Sequence, residues 1–318
     1  MGAGGSALTV SAELLAKDLT GRTFIVTGGN SGIGYGTAAQ LAKQKATVVI
    51  GCRRLDAGQA AVDEINAANG NSGKLTAMVL DLASLSSVRK FAAEFKKSHS
   101  ALHCLINNAG IMNTPVGTTS DGFETQFGTN HLGHFLLTNL LTDSLKASAP
   151  SRVVCLTSAY HNEAQGRKGH IDFDDLNFER RKYDGWTAYA QSKLANLLHA
   201  HELGRRLAPV GITAVSVHPG FVRSNLINNT MGGLMQRMAD PYLVYGSGMI
   251  EPWEGIQTSL HCALADDLIP GAYYAQNNSP KGVVGGWPAK SPLPEASDDA
   301  VATRLWEVSE ALVKGKGL

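Results

Sequence analysis

The sequence predicts an α/β fold in which a doubly wound parallel sheet of the Rossmann type is covered by helices on both faces. Two observations predict it. Short apolar runs rich in β-branched residues alternate with longer helical patterns, and a glycine-rich turn joins the first run to the first helix. The chain has 318 residues, of which 43% are hydrophobic, so it can bury one large core. A single domain is therefore the simplest arrangement.

Seven runs have the length and composition of buried strands. They are Thr23–Thr27, Thr47–Gly51, Leu75–Leu80, Cys104–Asn107, Arg152–Leu156, Thr213–Val217 and Ala272–Ala275. Five intervening stretches have helical periodicity. They are Gly34–Gln44, Ala57–Ala68, Ser86–Lys97, a long one around Phe123–Ala147, and Thr187–Leu207. This alternation predicts βαβ units, whose ligand sites lie at the carboxyl ends of the strands.

Two segments interrupt the alternation, Ala159–Gly185 and the stretch rich in Met, Gly and Asn at residues 222–254. We expect residues 1–18 to form a flexible leader and residues 19–318 to form the domain, with residues 222–254 as a substrate lid. Three methionines in the lid segment fall on one side of a predicted helix: Met231, Met235 and Met238. They are either a core stripe or an adaptable apolar lining for a substrate.

Composition limits the classes of partner. The 28 basic residues nearly cancel the 27 acidic ones, which argues against a nucleic-acid partner held by phosphate attraction. No metal site is expected, because five histidines are scattered without metal-ligand spacing and are interpreted as surface or satisfied core residues: His131, His134, His161, His199 and His201. Four widely spaced cysteines are interpreted as buried apolar residues, which suits the cytoplasm or another reducing compartment. They are Cys52, Cys104, Cys155 and Cys262.

No run is long and apolar enough to predict a membrane span. Residues 1–6 fit the loose N-myristoylation pattern, which predicts weak peripheral association with a membrane, but a small flexible leader has the same composition. The sequence leaves the oligomeric state open, with a homodimer as one candidate.

The glycine-rich turn spans Thr27–Gly34 and follows the first strand. Glycines let the backbone approach a pyrophosphate, and the following helix offers free N–H groups with positive potential. An ordinary βα turn is the alternative, but the position favours a dinucleotide site. Its candidate cofactor contacts are Gly28, Asn30, Ser31, Gly32, Ile33 and Gly34.

The end of the second strand bears on the choice of cofactor. Folds of this kind often place an acid there, which hydrogen-bonds the adenosine ribose. Here the position is occupied by Cys52 or a close neighbour, and Arg53 and Arg54 follow. A guanidinium suits a ribose 2′-phosphate, so NADP(H) is predicted, although both arginines could be solvated loop residues. Asp81, after the third strand, could cap a helix or lie beside the adenine.

Tyr189 and Lys193 are four residues apart on a predicted helix and therefore share a face. An adjacent ammonium favours the phenolate and lowers the pKa of a tyrosine, so this pair can act as one acid/base unit. The pattern alone is common on exposed helices. Its combination with the glycine-rich turn, Asn107–Gly110 and Thr157-Ser158 makes the catalytic interpretation persuasive.

These motifs together resemble the short-chain dehydrogenase/reductase family over about residues 19–275. Within that family, Phe127–Phe135 and Tyr189–Asn196 resemble the retinol-dehydrogenase-like branch, which includes WW-domain oxidoreductases and certain plastid-envelope proteins. The protochlorophyllide reductases are relatives that carry a functional cysteine between the Ser strand and the Tyr helix, and this chain has none between Ser158 and Tyr189.

The resemblance implies a catalytic tetrad of Asn130, Ser158, Tyr189 and Lys193. Tyr189 would exchange a proton with the substrate oxygen, and Lys193 would support it while bonding the nicotinamide ribose. Ser158 would hydrogen-bond the same oxygen. Asn130 would support the lysine and a water chain, although by itself it is only a polar residue in a helix.

The resemblance also implies further cofactor contacts and a function. The contacts are Asp81, Leu82, Asn108, Ala109, Gly110, Pro219, Gly220, Val222 and Ser224, where Ser224 replaces the family's threonine. The implied enzyme interconverts an apolar aldehyde or ketone and its alcohol with NADP(H). The alternative is a redox-sensing protein whose NADP(H) occupancy controls its docking to a membrane complex, although a sensor has no need of the proton donor.

Overall fold

The computed structural model describes residues 8–223, 250–276 and 286–315. Most of the expected lid lies outside the described residues, and so do Ser224, Met231, Met235 and Met238.

The described strands follow the predicted runs closely. They are β1 Thr23–Thr27, β2 Thr47–Cys52, β3 Lys74–Val79, β4 Cys104–Asn107, β5 Ser151–Leu156, β6 Glu163–Ala164, β7 Arg167–Lys168, β8 Ile212–His218, β9 Tyr273–Ala275 and β10 Gly286–Ala289. The seven predicted strands are confirmed with ends shifted by one residue at most, although β3 contains no buried residue because it lies at the edge of the sheet.

The helices also agree where they were predicted. They are α1 Ala12–Ala16, α2 Gly32–Lys43, α3 Leu55–Asn69, α4 Leu85–Ser98, α5 Thr125–Phe127, α6 Gly133–Ala147, α7 Gly185–Leu207, α8 Pro252–Leu264 and α9 Asp299–Lys314. The long helix expected around Phe123–Ala147 is interrupted by a π-helical turn at Gly128–Leu132, between α5 and α6. In a π-helical turn the backbone hydrogen bonds join residues five apart instead of the four of an α-helix.

The main sheet has the strand order β10-β9-β8-β5-β4-β1-β2-β3. All neighbouring pairs are parallel except β10 with β9. Since the chain runs outward from β1 in one direction and from β4 in the other, the topological switch point lies between these two strands. Open α/β sheets bind ligands at the carboxyl ends of the strands beside this point.

Successive residues of each central strand point into two separate cores. In β1, Ile25 packs with α4, α6, α7 and α9, whereas Phe24 and Val26 pack with α2, α3 and α8. Residues of β1, β4 and β5 are almost wholly buried, while the edge strand β3 is partly exposed. The sheet is therefore doubly wound, as predicted.

Residues 8–18 differ from the expected flexible leader. They contain α1, Val10 is 4% exposed, and the Lys17 ammonium lies 2.8 Å from the Asp266 carboxylate. The N–H of Leu8 also donates to the side-chain oxygen of Gln276. The end of the lid segment differs too, because α8 begins at Pro252. No helix among the described residues is long and apolar enough to cross a membrane.

Candidate active site

The glycine-rich turn lies at the switch point and has the geometry of a phosphate-binding loop. Gly28 and Gly32 have φ of +65° and +54°, which L-residues with side chains rarely adopt. At Gly34, a Cβ would lie 2.4 Å from the Gly28 carbonyl oxygen, so only glycine lets α2 start this close to β1. Ser31 begins α2 without a side-chain cap, which leaves the first N–H groups of the helix available to an anion.

The Thr27 hydroxyl connects this turn to the neighbouring loop after β4. It accepts hydrogen bonds from the N–H groups of Asn108 and Ala109, each at 2.9 Å. The side chain of Asn108 in turn donates to the Thr27 carbonyl at 2.8 Å. The two loops that border the switch point therefore form one unit, and the residues present fit a dinucleotide.

Asn130 is fully buried in the π-helical turn. Its side-chain oxygen accepts from the N–H of Ile111, and its Nδ2 donates both to the Ile111 carbonyl and to the Ser192 hydroxyl, each at 2.9 Å. A Cβ at Gly110 would lie 3.4 Å from Asn130 Oδ1 and 3.3 Å from Lys193 Nζ. Asn130 and Lys193 thus meet at Gly110, where a side chain would intrude.

Tyr189 and Lys193 lie one turn apart on α7 and are 4% and 3% exposed. Lys193 Nζ is 5.7 Å from the Tyr189 ring centroid and donates to the Leu156 carbonyl at 3.3 Å. Asn196 donates to the same carbonyl at 3.0 Å. The fold therefore brings both predicted members to the carboxyl end of β5.

Burial controls the protonation of both groups. It raises the pKa of Tyr189, and the interaction with Ser158 opposes this shift. Burial lowers the pKa of Lys193 to about 8. The expectation that Lys193 lowers the pKa of Tyr189 is therefore not met, because loss of hydration of the phenol is the largest effect.

Ser158 follows β5 and begins a short 3-10 turn, accepting the N–H of Tyr160 on its hydroxyl. Its carbonyl accepts from Nδ1 of His161 at 2.6 Å, and Nε2 of His161 lies 2.6 Å from the Ser291 hydroxyl. The Ser158 backbone is thereby fastened to the segment that follows β10. This role of His161 has no local sequence signal, since Ser291 is 130 residues away.

After β8, Pro219 and Gly220 are buried, and Gly220 has φ of +90°. Val222 is buried as well and forms a bridge with Ile250. The predicted cofactor contacts Pro219, Gly220 and Val222 thus lie at the carboxyl edge of the sheet, whereas Ser224 lies outside the described residues.

Cys52 ends β2 and is buried, and its thiol donates to the Arg54 carbonyl at 3.2 Å. Arg53 and Arg54 are exposed. The Arg54 guanidinium lies 3.9 Å from the Asp56 carboxylate, whereas the Arg53 side chain has no hydrogen bond or ion pair within the described part of the chain. Arg53 is thus available to a phosphate.

Asp81 caps the turn after β3, where its carboxylate accepts the N–H of Ala83 at 3.0 Å. It does not cap α4, because Ser84 does so. Leu82 is buried, and its carbonyl would lie 2.5 Å from a Cβ at Gly133. The π-helical turn therefore abuts the loop expected to border the adenine.

Sequence reasoning missed the aromatic side chains beside the tyrosine. The rings of Tyr160 and Trp186 have centroids 6.1 and 6.5 Å from that of Tyr189, and both are only partly buried. They form an apolar border to the site. Their positions, two residues after Ser158 and three before Tyr189, are the only signal that could have indicated this.

The four cysteines agree with their predicted burial, and four of the five histidines considered in the sequence lie in the core, where His131 Nδ1 and His199 Nε2 have no hydrogen-bond partner among the residues that the structure describes. All four cysteines are free and buried. His131, His134, His161 and His199 are buried. No group of three or more His, Cys, Asp or Glu residues that could hold a metal ion occurs within the described ranges.

Comparison with known proteins agrees with this geometry. A family model described as short chain dehydrogenase matches residues 22–170. The chain is 44% identical to human retinol dehydrogenase 13 over 298 residues, which cover 93% of the chain and 85% of that protein. It is 43% identical to human retinol dehydrogenase 12 over 294 residues, covering 92% and 86% of the two chains.

Solved structures show the same fold. An uncharacterized protein from Mycobacterium Paratuberculosis has a TM-score of 0.72 and 36% identity, with 94% of this chain and 96% of that chain covered. The Pseudomonas aeruginosa RhlG/NADP active-site complex has a TM-score of 0.64 and 23% identity, with 81% and 95% covered. At that identity, the second likeness concerns the fold alone.

Proposed function

Because this chain belongs to the short-chain dehydrogenase/reductase family and its retinol-dehydrogenase-like branch, it is an oxidoreductase of alcohol and carbonyl groups; we propose that it uses NADP(H) on apolar substrates. The observation that carries this proposal is the convergence of Ser158, Tyr189 and Lys193 on the carboxyl edge of the sheet beside the glycine-rich turn.

Tyr189 is the proposed proton donor for reduction and the acceptor for oxidation. Its phenol interacts with Ser158, which can also hydrogen-bond the substrate oxygen and orient the carbonyl. Burial favours the protonated phenol, which is the form that donates to a developing alkoxide. The nicotinamide, when bound, supplies or takes up the hydride.

Lys193 and Asn130, which both lie close to Gly110, are proposed to support the proton exchange at Tyr189. The Lys193 ammonium lies 5.7 Å from the Tyr189 ring centroid, and its positive charge would favour the phenolate that forms after proton transfer. Asn130 is fixed by hydrogen bonds to Ile111 and to Ser192, the residue before Lys193 on α7. Gly110 carries no side chain that would press on these two groups, since a Cβ there would lie 3.3 Å from Lys193 Nζ and 3.4 Å from Asn130 Oδ1.

Arg53 supports the choice of NADP(H). Its exposed guanidinium has no partner within the described residues, and Cys52 places no carboxylate where it would repel a 2′-phosphate. An apolar substrate is supported by Tyr160 and Trp186, which border Tyr189. Retinaldehyde is a suitable first probe, given the names of the relatives.

The test is a screen of the purified chain with NADPH against retinaldehyde, medium-chain aldehydes, polycyclic ketones, sugars and short hydroxy acids. We expect turnover with the apolar carbonyls, and Tyr189→Phe is the matched control for contaminating reductases. If NADPH binds and no substrate turns over, the redox-sensing alternative replaces the enzymatic proposal. If the enzyme prefers small charged substrates, the proposal of an apolar substrate is wrong, whereas the oxidoreductase assignment stands.

A further inference from the structure

A buried histidine lies between the cofactor loop and the catalytic asparagine. His134, in the first turn of α6, is 1% exposed. Its Nδ1 is 2.9 Å from the backbone carbonyl oxygen of Asn130, and its Nε2 is 2.8 Å from the Thr27 hydroxyl. One imidazole thus contacts both parts of the proposed site.

The partners determine which ring nitrogen carries the proton. A carbonyl oxygen can only accept, so Nδ1 is the donor to Asn130. Burial lowers the pKa of His134 to about 4, so the ring is neutral near pH 7 and Nε2 has a free lone pair. Nε2 therefore accepts from the Thr27 hydroxyl, whose oxygen accepts from the N–H groups of Asn108 and Ala109. The Thr27 hydroxyl also lies 3.5 Å from the Ile106 carbonyl, but its 2.8 Å contact with Nε2 is much the shorter, so the hydroxyl proton is assigned to the ring nitrogen.

The side chain of Asn130 makes its hydrogen bonds elsewhere, so the connection between Asn130 and the cofactor loop runs through His134. The amide of Asn130 is occupied by Ile111 and Ser192, which lie on the catalytic side. The bond from His134 is made instead to the backbone, within the π-helical turn, and leads to Thr27 on the cofactor side. The ring is rigid and spans the two groups directly, so movement of either one is transmitted to the other.

We propose that His134 is a positioning residue that fixes the Asn130 backbone relative to the cofactor loop. This inference rests on the proposed function. The hydrogen bonds of the His134 ring go to the Asn130 backbone and the Thr27 hydroxyl and not to the side chains of the tetrad, so His134 acts through Asn130 and Thr27. The two ring nitrogens have separate roles. Nδ1 binds the Asn130 backbone, which belongs to the catalytic part of the site, and Nε2 binds Thr27, which belongs to the cofactor loop.

Two substitutions separate these tasks. The amide of His134→Asn reaches the position of Nδ1 and can donate to Asn130, but it does not reach Thr27. The longer His134→Gln places its oxygen at the position of Nε2 and can accept from Thr27, but it leaves the Asn130 carbonyl without this donor. A net hydrogen bond corresponds to a change of roughly fivefold. We expect His134→Asn to raise the Kd for NADPH about fivefold with kcat nearly kept, and His134→Gln to lower kcat about fivefold with Kd nearly kept.

His131→Asn is the matched control, because His131 is also buried in this helical region and its Nε2 contacts Ser309 on α9 instead. His131→Asn should lower the thermal stability of the chain, but it should not change kcat or the Kd for NADPH independently of the other. Equal effects of both His134 variants on kcat and Kd, or no effect on either, would overturn the proposal. Failure of the proposed function would appear in the wild-type chain as absent turnover, whereas failure of this inference appears only in the variants.

A measurement on the wild-type chain decides the case if a variant does not fold. Nitrogen-15 NMR of histidine-labelled protein should show His134 protonated on Nδ1 and unprotonated on Nε2. This is the reverse of the tautomer favoured by free imidazole side chains in water. Protonation on Nε2 would break the bond to the Asn130 carbonyl and overturn the proposed link.

Discussion

At the level of single residues, burial changes the pKa values of the two ionisable groups of the proposed site, Tyr189 and Lys193. Tyr189 is buried, which raises the pKa of its phenol, while Ser158 interacts with the same oxygen and opposes the shift. Burial also disfavours the charged form of Lys193, and it therefore lowers the pKa of that ammonium. Burial therefore keeps the Tyr189 phenol protonated, and it makes the Lys193 ammonium easier to deprotonate than it is in water.

The hydroxyl of Tyr189 is the atom that the proposed chemistry depends on. Tyr189→Phe removes it and leaves the ring packing with Tyr160 and Trp186, so we expect kcat to fall by about 10²–10⁴-fold. The Kd for NADPH, measured by fluorescence titration, should stay within about twofold. A variant with a near-normal rate on the best substrate would exclude Tyr189 as the proton donor.

Arg53 is the residue expected to distinguish the two nicotinamide cofactors. Arg53→Ala should weaken NADPH binding by about 1.5–3 kcal/mol, because a charge-assisted bond to the 2′-phosphate is lost, and should leave NADH nearly unchanged. Arg54→Ala is the control, since Arg54 already lies near Asp56. Equal weakening of both cofactors by Arg53→Ala would show that Arg53 does not contact the 2′-phosphate.

At the scale of elements, the approach of α2 to β1 depends on one missing Cβ. Gly34→Ala would place a carbon 2.4 Å from the Gly28 carbonyl oxygen and 2.5 Å from the amide of Asn108, so the helix start must move. We expect NADPH affinity to fall at least about tenfold. Gly36→Ala is the control on the same helix, because its new carbon meets only the end of the Ile256 side chain at 3.0 Å. Similar affinities for the two variants would contradict this account of the turn.

The segment after β10 is a second element that acts on the site from a distance. Ser291 holds Nε2 of His161, whose Nδ1 holds the Ser158 carbonyl. Ser291→Ala should therefore lower kcat by roughly fivefold, the effect of one net hydrogen bond, while NADPH binding stays unchanged. Ser291→Thr keeps the hydroxyl and should retain the rate. Loss of activity in both variants would point to packing instead of this bond.

At the scale of the whole molecule, buried neutral histidines make stability depend on pH. Burial lowers the pKa of His131 and His218 to about 3 and of His134 and His161 to about 4, below the unfolded value of 6.5. Between these values the unfolded chain binds more protons than the folded one. The stabilisation is therefore complete above pH 6.5 and is lost as the pH falls from 6.5 toward 4, by about 1.4 kcal/mol per pH unit for each histidine.

Urea unfolding at pH 5, 6 and 7 tests this pH dependence. His131→Asn removes one titrating group, so the decrease in the free energy of unfolding between pH 6 and pH 5 should be smaller by about 1 kcal/mol than in the wild-type chain. His201→Asn is the control, since His201 is near the surface and paired with Asp299. Identical pH dependence in the wild-type chain and the His131 variant would exclude this origin of acid lability.

The sequence by itself determined the elements of the sheet and the motifs at their ends. Thr23–Thr27 and its counterparts are local apolar runs, and the glycine turn and the spacing of Tyr189 from Lys193 are local patterns, so neighbouring residues suffice to identify them. Burial of the four cysteines was predicted for the same reason. The short strand β10 was not predicted, because a four-residue run with Pro288 has little strand signal of its own, and the helices α8 and α9 were not predicted either.

Only the tertiary structure decided how the site is held together. His134 looked like any core histidine until the fold placed Thr27, 107 residues earlier, against its Nε2. The connection from Ser158 through His161 to Ser291 depends on contacts just as distant. The pKa of Tyr189 rises instead of falling because desolvation depends on everything packed around the phenol, whereas the sequence shows only its neighbour Lys193. Local order follows from adjacent residues, but hydration and long-range hydrogen bonds exist only after the whole chain has packed.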